Sequence, residues 1–185
     1  MTDAPAPVPA HSSPSSAVLQ ALAAAGSAAA AELGRHSARD EALAEYVPER
    51  RTLGIPRAAR MTPIGRVWRL GVLLVDADGQ LFATGRVVRA ERPVRRSTPA
   101  AAIAEQRAYA AAAVKGGFAE GETVNFGAVP VDPAELVRAG ASGPLVVVDD
   151  ELFVRWSPSL PDSLTPLDRY LADRVELLAN PPSGA

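Results

Sequence analysis

Five arginines, Arg86, Arg89, Arg92, Arg95 and Arg96, fall within eleven residues, and only Glu91 opposes them locally. A guanidinium presents a planar fork of donors that fits a carboxylate or phosphate with two bonds at once, which an ammonium group cannot do. The chemistry of such a cluster is anion recognition, with an acidic protein or a small anionic ligand as the partner. Nucleic acid fits less well, because the formal net charge is −2 and no aromatic residue stands among these arginines to stack on bases. Residues 50–96 hold eleven arginines against three acids, a net +8, while residues 119–176 hold eleven acids against four arginines, a net −7. Either an anionic partner meets the basic segment, or the two segments lie side by side and neutralise each other.

Groups suited to catalysis are few. With no cysteine in the chain there is no thiolate nucleophile, disulfide, iron–sulfur ligation or cysteine-bound zinc. Both histidines, His11 and His36, lie in or beside the N-terminal segment, so a catalytic triad or histidine metal site is not expected. Asp76-Ala77-Asp78-Gly79 starts like a calcium loop, but Gln80 and Val87 stand where the loop needs its fifth and twelfth oxygen ligands, so it reads as a turn. Asp149-Asp150-Glu151 reads as a solvated hairpin tip, and no metal or cofactor is expected. Lys115 is the only lysine and ends a helical stretch, where the helix dipole favours the charged form. Gly116-Gly117 follows that helix instead of preceding one, so it is a helix stop and not a phosphate cradle. Ser97-Thr98 after Arg95-Arg96 could take a phosphate, but helix capping already accounts for the hydroxyl. Trp68 and Trp156 read as strand residues. A deep pocket collecting Arg69, Arg86, Asn125 or Lys115 would mark a ligand site.

The elements that must position these residues follow from local pattern. Ala17 to Leu33 favours helix, with Val18, Leu19, Leu22 and Leu33 on one face. A second helical stretch, Arg39 to Tyr46, is stopped before Pro48 and is expected to pack on the domain without building it. Val67 to Val75 is apolar on one face and nearly so on the other, which suggests a central strand. The turn 76–79 sends the chain back along a second strand, Leu81 to Val88. Thr98 and Pro99 open a helix running to Lys115, and Thr123 to Val131 supplies a third strand. Asp132 to Glu135 caps a short helix, a second hairpin pairs Leu145–Val148 with Leu152–Trp156, and Thr165 to Asp168 starts a last helix carrying Leu167, Tyr170, Leu171, Val175 and Leu178.

Strands joined by tight hairpins are antiparallel, so the fold class is α+β: two β-hairpins and one further strand in a mainly antiparallel sheet, packed by helices on one side. The organisation expected is a disordered arm at 1–16, a helical N-terminal segment at 17–48, the α+β domain at 49–180 and a tail at 181–185. Met1 to Ala10 has no basic region and three prolines, so no secretory signal is read there. No apolar run is expected to reach the length of a membrane span, since Leu70 to Val75 ends at Asp76. A cytoplasmic protein without a membrane partner is the expectation.

The run from Arg60 through Thr62-Pro63-Ile64-Gly65-Arg66-Val67-Trp68 to Leu74, with Gly79 to Ala90 and Phe118 to Asn125 after it, resembles a group of small bacterial proteins from GC-rich genomes, some labelled glutaminase. The resemblance spans roughly residues 50 to 180, and the label implies amide hydrolysis. Serine-dependent glutaminases use a Ser-x-x-Lys pair, but three residues before Lys115 stands Ala112. Amidotransferase-type glutaminases need a cysteine. A non-catalytic binding or regulatory protein using its arginine-rich surface is therefore the leading reading, and a glutaminase-like amide hydrolase of unrecognised mechanism is the alternative.

Overall fold

The computed structural model describes residues 14–52, 55–92, 101–157 and 163–181. In chain order the elements are α1 (Pro14–Arg35), β1 (Glu41–Val47), β2 (Arg50–Thr52), β3 (Ile55–Arg57), β4 (Arg60–Leu70), β5 (Leu73–Asp76), β6 (Leu81–Ala83) and β7 (Arg86–Arg89). Then come α2 (Ala101–Lys115), β8 (Thr123–Phe126), β9 (Val129–Pro130), α3 (Pro133–Ala139), β10 (Ala141–Ser142), β11 (Leu145–Val148), β12 (Glu151–Arg155), β13 (Leu164–Pro166) and α4 (Leu167–Ala179). The class is α+β. One sheet runs β7-β8-β1-β4-β5-β6-β9, a second runs β10-β11-β12-β13, and β2 pairs with β3. Every pairing is antiparallel except β1 with β8.

The large sheet closes on itself. Phe82 and Ala83 pair with Pro130 and Val129, and Arg86 to Arg89 pair with Phe126 back to Thr123. Across both pairs the partner number falls by one for each step forward, so 82–89 and 123–130 form one ladder bent at residues 84–85 and 127–128. Because β6 also pairs with β5 and β8 with β1, this ladder joins the two edges and leaves the ring without a free side. Gly85 permits the bend, since a Cβ there would overlap the Phe126 carbonyl oxygen and the Gly127 backbone. The strands expected at 81–88 and 123–131 are therefore each broken in two.

Leu43, Val67, Leu74 and Phe82 fill the inside of the ring, with Ala128 against them. Outside, α2 lays Ala110, Ala112 and Ala113 on Ala42, Ala44, Val88, Val124 and Phe126, and small side chains let the helix lie close. Another part of the outer surface, Leu70, Leu73, Val75 and Leu81, packs with α1, α3, α4 and the second sheet around Leu33, Leu136, Leu145 and Val154. Full burial of each such side chain contributes roughly 1.5–3 kcal/mol. The helices thus cover two regions of the ring and not one side of a sheet.

Three further expectations need correction. Most of the stretch Arg39 to Tyr46, read as helix, belongs instead to β1, which lies between β4 and β8 with Ala42, Leu43 and Ala44 buried. Pairing on both edges outweighs the helical preference of Glu41 to Glu45, so the segment builds the domain. The single strand expected over 67–75 is a hairpin: Leu70 pairs with Leu73, and the chain reverses through Gly71 at φ 67°. A segment apolar on both faces satisfies a hairpin as well as a through-strand, and Tyr170 fixes this one by accepting from the Val72 N–H and donating to the Leu70 carbonyl, both at 3.0 Å. Finally, α1 begins at Pro14, within the expected arm, and Ser15–Arg35 is long and apolar enough to cross a membrane by length and composition. Its Val18, Leu22, Ala29, Ala30 and Leu33 are buried in the core.

Local chemistry appears where expected in several places. Asp132 caps α3 by accepting from the Ala134 and Glu135 N–H groups, and Gly140 at φ 72° ends that helix. Gly117 at φ 94° follows α2. Asp149 and Asp150, at φ 48° and 63°, turn β11 into β12, because aspartate tolerates the left-handed region better than most residues. The start of α4 has no side-chain cap; Pro166 precedes it and Thr165 lies in β13. The expected cap at Thr98 and Pro99 lies outside the described residues, as do residues 1–13 and 182–185.

Candidate functional site

Arg86, Arg89 and Arg92 lie on β7 and just beyond it, and Arg95 and Arg96 lie outside the described residues. The Arg86 guanidinium donates to Glu105 Oε1 at 2.6 Å and to the Tyr109 hydroxyl at 2.8 Å, and sits 5.1 Å from the centroid of that ring. Tyr109 in turn donates to Glu105 at 2.8 Å. Glu105 is held below the usual carboxylate range, first by its hydrogen bond from Arg86, while the same bonding raises Arg86. The Tyr109 hydroxyl is raised, chiefly because it donates to a carboxylate.

Arg89 Nε donates to the Gly121 carbonyl at 3.0 Å, and Arg92 Nε lies 3.7 Å from Glu120. Arg66 on β4 reaches the same loop, bonding Glu122 at 2.6 Å and Asp40 at 2.6 Å. Those bonds raise Arg66 and lower Asp40. Arg66 and Arg92 from the basic segment therefore meet Glu122 and Glu120 from the acidic one, and the neutralisation expected as one alternative is present at residues 119–122.

Of the four residues whose convergence would mark a pocket, the fold joins two. Arg69 on β4 and Asn125 on β8 point into the ring, where Arg69 Nη2 donates to Asn125 Oδ1. Asn125 Nδ2 donates to Glu41 Oε2 at 2.7 Å and to the Ala42 carbonyl at 3.2 Å. Arg69 Nε is buried without a hydrogen-bond partner, 3.6 Å from Glu41 Oε2. The cluster is charge-balanced, and Asn125 is completely enclosed. Reading β1 as helix hid Glu41 from this group; the alternation of Glu41, Leu43 and Glu45 with Ala42, Ala44 and Tyr46 was the signal that could have found it. Arg86 bonds to α2, and Lys115 ends α2 in its last turn.

The carboxylates first considered for metal are occupied or dispersed. Asp76 Oδ1 accepts from the Asp78 and Gln80 N–H groups at 3.0 and 2.8 Å, closing its own turn. His36 pairs with Glu32 at 2.9 Å at the end of α1, and His11 lies outside the described residues. Among the described residues no three or more His, Cys, Asp or Glu side chains gather as a metal site. The chain matches no protein-family model, no curated protein and no solved structure.

Proposed function

We propose that this chain is a non-catalytic binding protein that holds an acidic protein or a small anionic ligand on the arginine surface at β7 and its exit. The observation that carries the reading is the Arg92–Glu120 pair: 3.7 Å apart, with side chains 77% and 63% exposed. An exposed pair of this kind contributes about 0–1 kcal/mol, so an incoming carboxylate or phosphate can take Glu120's place at little cost. Within the surface, Arg86 and Glu105 are held more firmly in the charged form and Tyr109 in the neutral one, as suits a site for charge-pair binding.

The test is fluorescence anisotropy of a labelled oligoglutamate peptide, with inorganic phosphate as a competitor and a single-stranded oligonucleotide as the contrasting probe. Wild-type protein should bind the peptide and release it as salt shortens the screening length from about 10 to about 3 Å. The triple variant Arg92→Ala, Arg95→Ala, Arg96→Ala should lose that binding while keeping stability within about 0.5 kcal/mol, the usual scale when no buried group or network is disturbed. A variant that unfolds would make these arginines structural, and one that binds as wild type would remove the surface from the reading. Tighter binding of the oligonucleotide would replace the acidic partner with a nucleic acid.

A further inference from the structure

A separate groove of about 410 Å³ lies where α4 meets β13 and the end of β12, with Trp156, Thr165, Arg169, Tyr170, Asp173 and Arg174 in its lining. Its size is that of a small-molecule site. The groove has a fixed floor, because Tyr170 is buried and its hydroxyl is tied to Leu70 at the end of β4 and to Val72 in the turn that follows. Arg174 sits on that floor with its guanidinium carbon 5.4 Å from the ring centroid. Stacking positions the guanidinium, and among the described residues no carboxylate pairs with it. Arg169 likewise has no ion pair among the described residues, although Asp173 stands one helical turn further on.

Trp156, 45% exposed, supplies the aromatic wall. A large apolar ring left half exposed beside two guanidinium forks that have no carboxylate partner among the described residues is suited to a ligand that is flat and aromatic at one end and anionic at the other. We infer that this groove binds a small planar aromatic anion, its ring against Trp156 and its carboxylate or phosphate on Arg169 and Arg174. The adjacent Asp173 carboxylate favours ligands that also carry a hydrogen-bond donor and disfavours those with a second negative charge near it.

Adenosine 5′-monophosphate and 2-naphthoate represent the phosphate and carboxylate forms, and calorimetric titration of the full chain measures both. At least one should saturate with a Kd of about 1 mM or tighter, while adenosine and inorganic phosphate, each carrying half of the chemistry, should bind at least about tenfold more weakly. Arg169→Gln and Arg174→Gln should each weaken the better ligand by about tenfold, the scale of a lost charge-assisted hydrogen bond. Trp156→Phe should largely retain binding and Trp156→Ala should lose it. Thermal midpoints check folding, and where a Gln variant is less stable, Arg169→Lys gives the same comparison, since it keeps the charge and removes the fork. Absence of saturation by both aromatic anions up to about 10 mM overturns the assignment. So does phosphate binding as tightly as the nucleotide, or arginine variants that bind as wild type.

Discussion

Replacing Asn125 with leucine tests whether the polar cluster inside the ring stabilises the fold. The two side chains branch alike with the same number of heavy atoms, so the substitution removes hydrogen bonds without opening a cavity. Two of the three lost bonds are to charged partners, Glu41 and Arg69, and the third is to the Ala42 carbonyl. Bonds to charged groups contribute about 1.5–3 kcal/mol each and a neutral one about 1 kcal/mol, which sets a gross loss of roughly 4–7 kcal/mol. Arg69 and Glu41 keep side-chain exposures of 28% and 25% and stay 3.6 Å apart, so water and their mutual attraction recover roughly a third of that loss. Burying the leucine restores roughly another 1.5–2 kcal/mol. The net is about 2 kcal/mol of destabilisation, or a midpoint lower by about 4–8 °C for a chain of this size. Urea unfolding followed by circular dichroism measures it, with an unchanged m value showing that the same surface is exposed. An equal or higher midpoint for Asn125→Leu would refute the reasoning, because it would mean that an apolar interior serves the ring as well as the polar one.

Three further outcomes are expected. Alanine for glycine inside a helix ordinarily adds about 1 kcal/mol, but a Cβ on Gly26 would overlap the Gly79 carbonyl oxygen where α1 crosses the β5–β6 turn. Gly26→Ala should therefore cost about 2 kcal/mol while Gly34→Ala, which meets nothing within 4 Å, should be neutral or stabilising; equal effects in thermal melts would contradict the close packing. Asp40 is lowered by its hydrogen bond from Arg66, so its contribution is present above the unfolded value of 3.8 and is lost as pH falls through its folded value. Asp40→Asn should cost less than about 1 kcal/mol near neutrality and flatten the stability loss below about pH 4, and superimposable pH profiles would show that the pair adds nothing. Purified protein should release no ammonia from glutamine above a boiled control, and turnover lost with contaminants removed would support this, whereas turnover that persists would require a nucleophile outside the Ser-x-x-Lys and cysteine types.

What could be read along the chain rests on short-range chemistry. The Gly79 turn, the Asp132 cap, the Gly116-Gly117 stop, the hairpin turned at Asp149-Asp150 and the apolar spacing of α4 each depend on residues within a few positions of one another, so the mainly antiparallel α+β class was legible. The arginine cluster was legible as a density of one residue type, but its bonds to Glu105, Gly121 and Glu120 were not, because those partners lie 19 to 32 positions away for Arg86 and Arg89 and come from other elements. Strand identity for residues 41–47 was decided only by tertiary structure: Glu41 to Glu45 are all good helix formers, and pairing to β4 on one edge and β8 on the other overrides that preference. The same holds for the break at Gly71, where Tyr170 is placed about a hundred residues later in the chain to receive and give the two hydrogen bonds that hold the hairpin. Closure of the ring depends on residues 82–89 meeting residues 123–130 in register, and with it the convergence of Glu41, Arg69 and Asn125. No local window contains that information, because the free energy of closing the ladder is collected only when all the intervening elements are already packed around it.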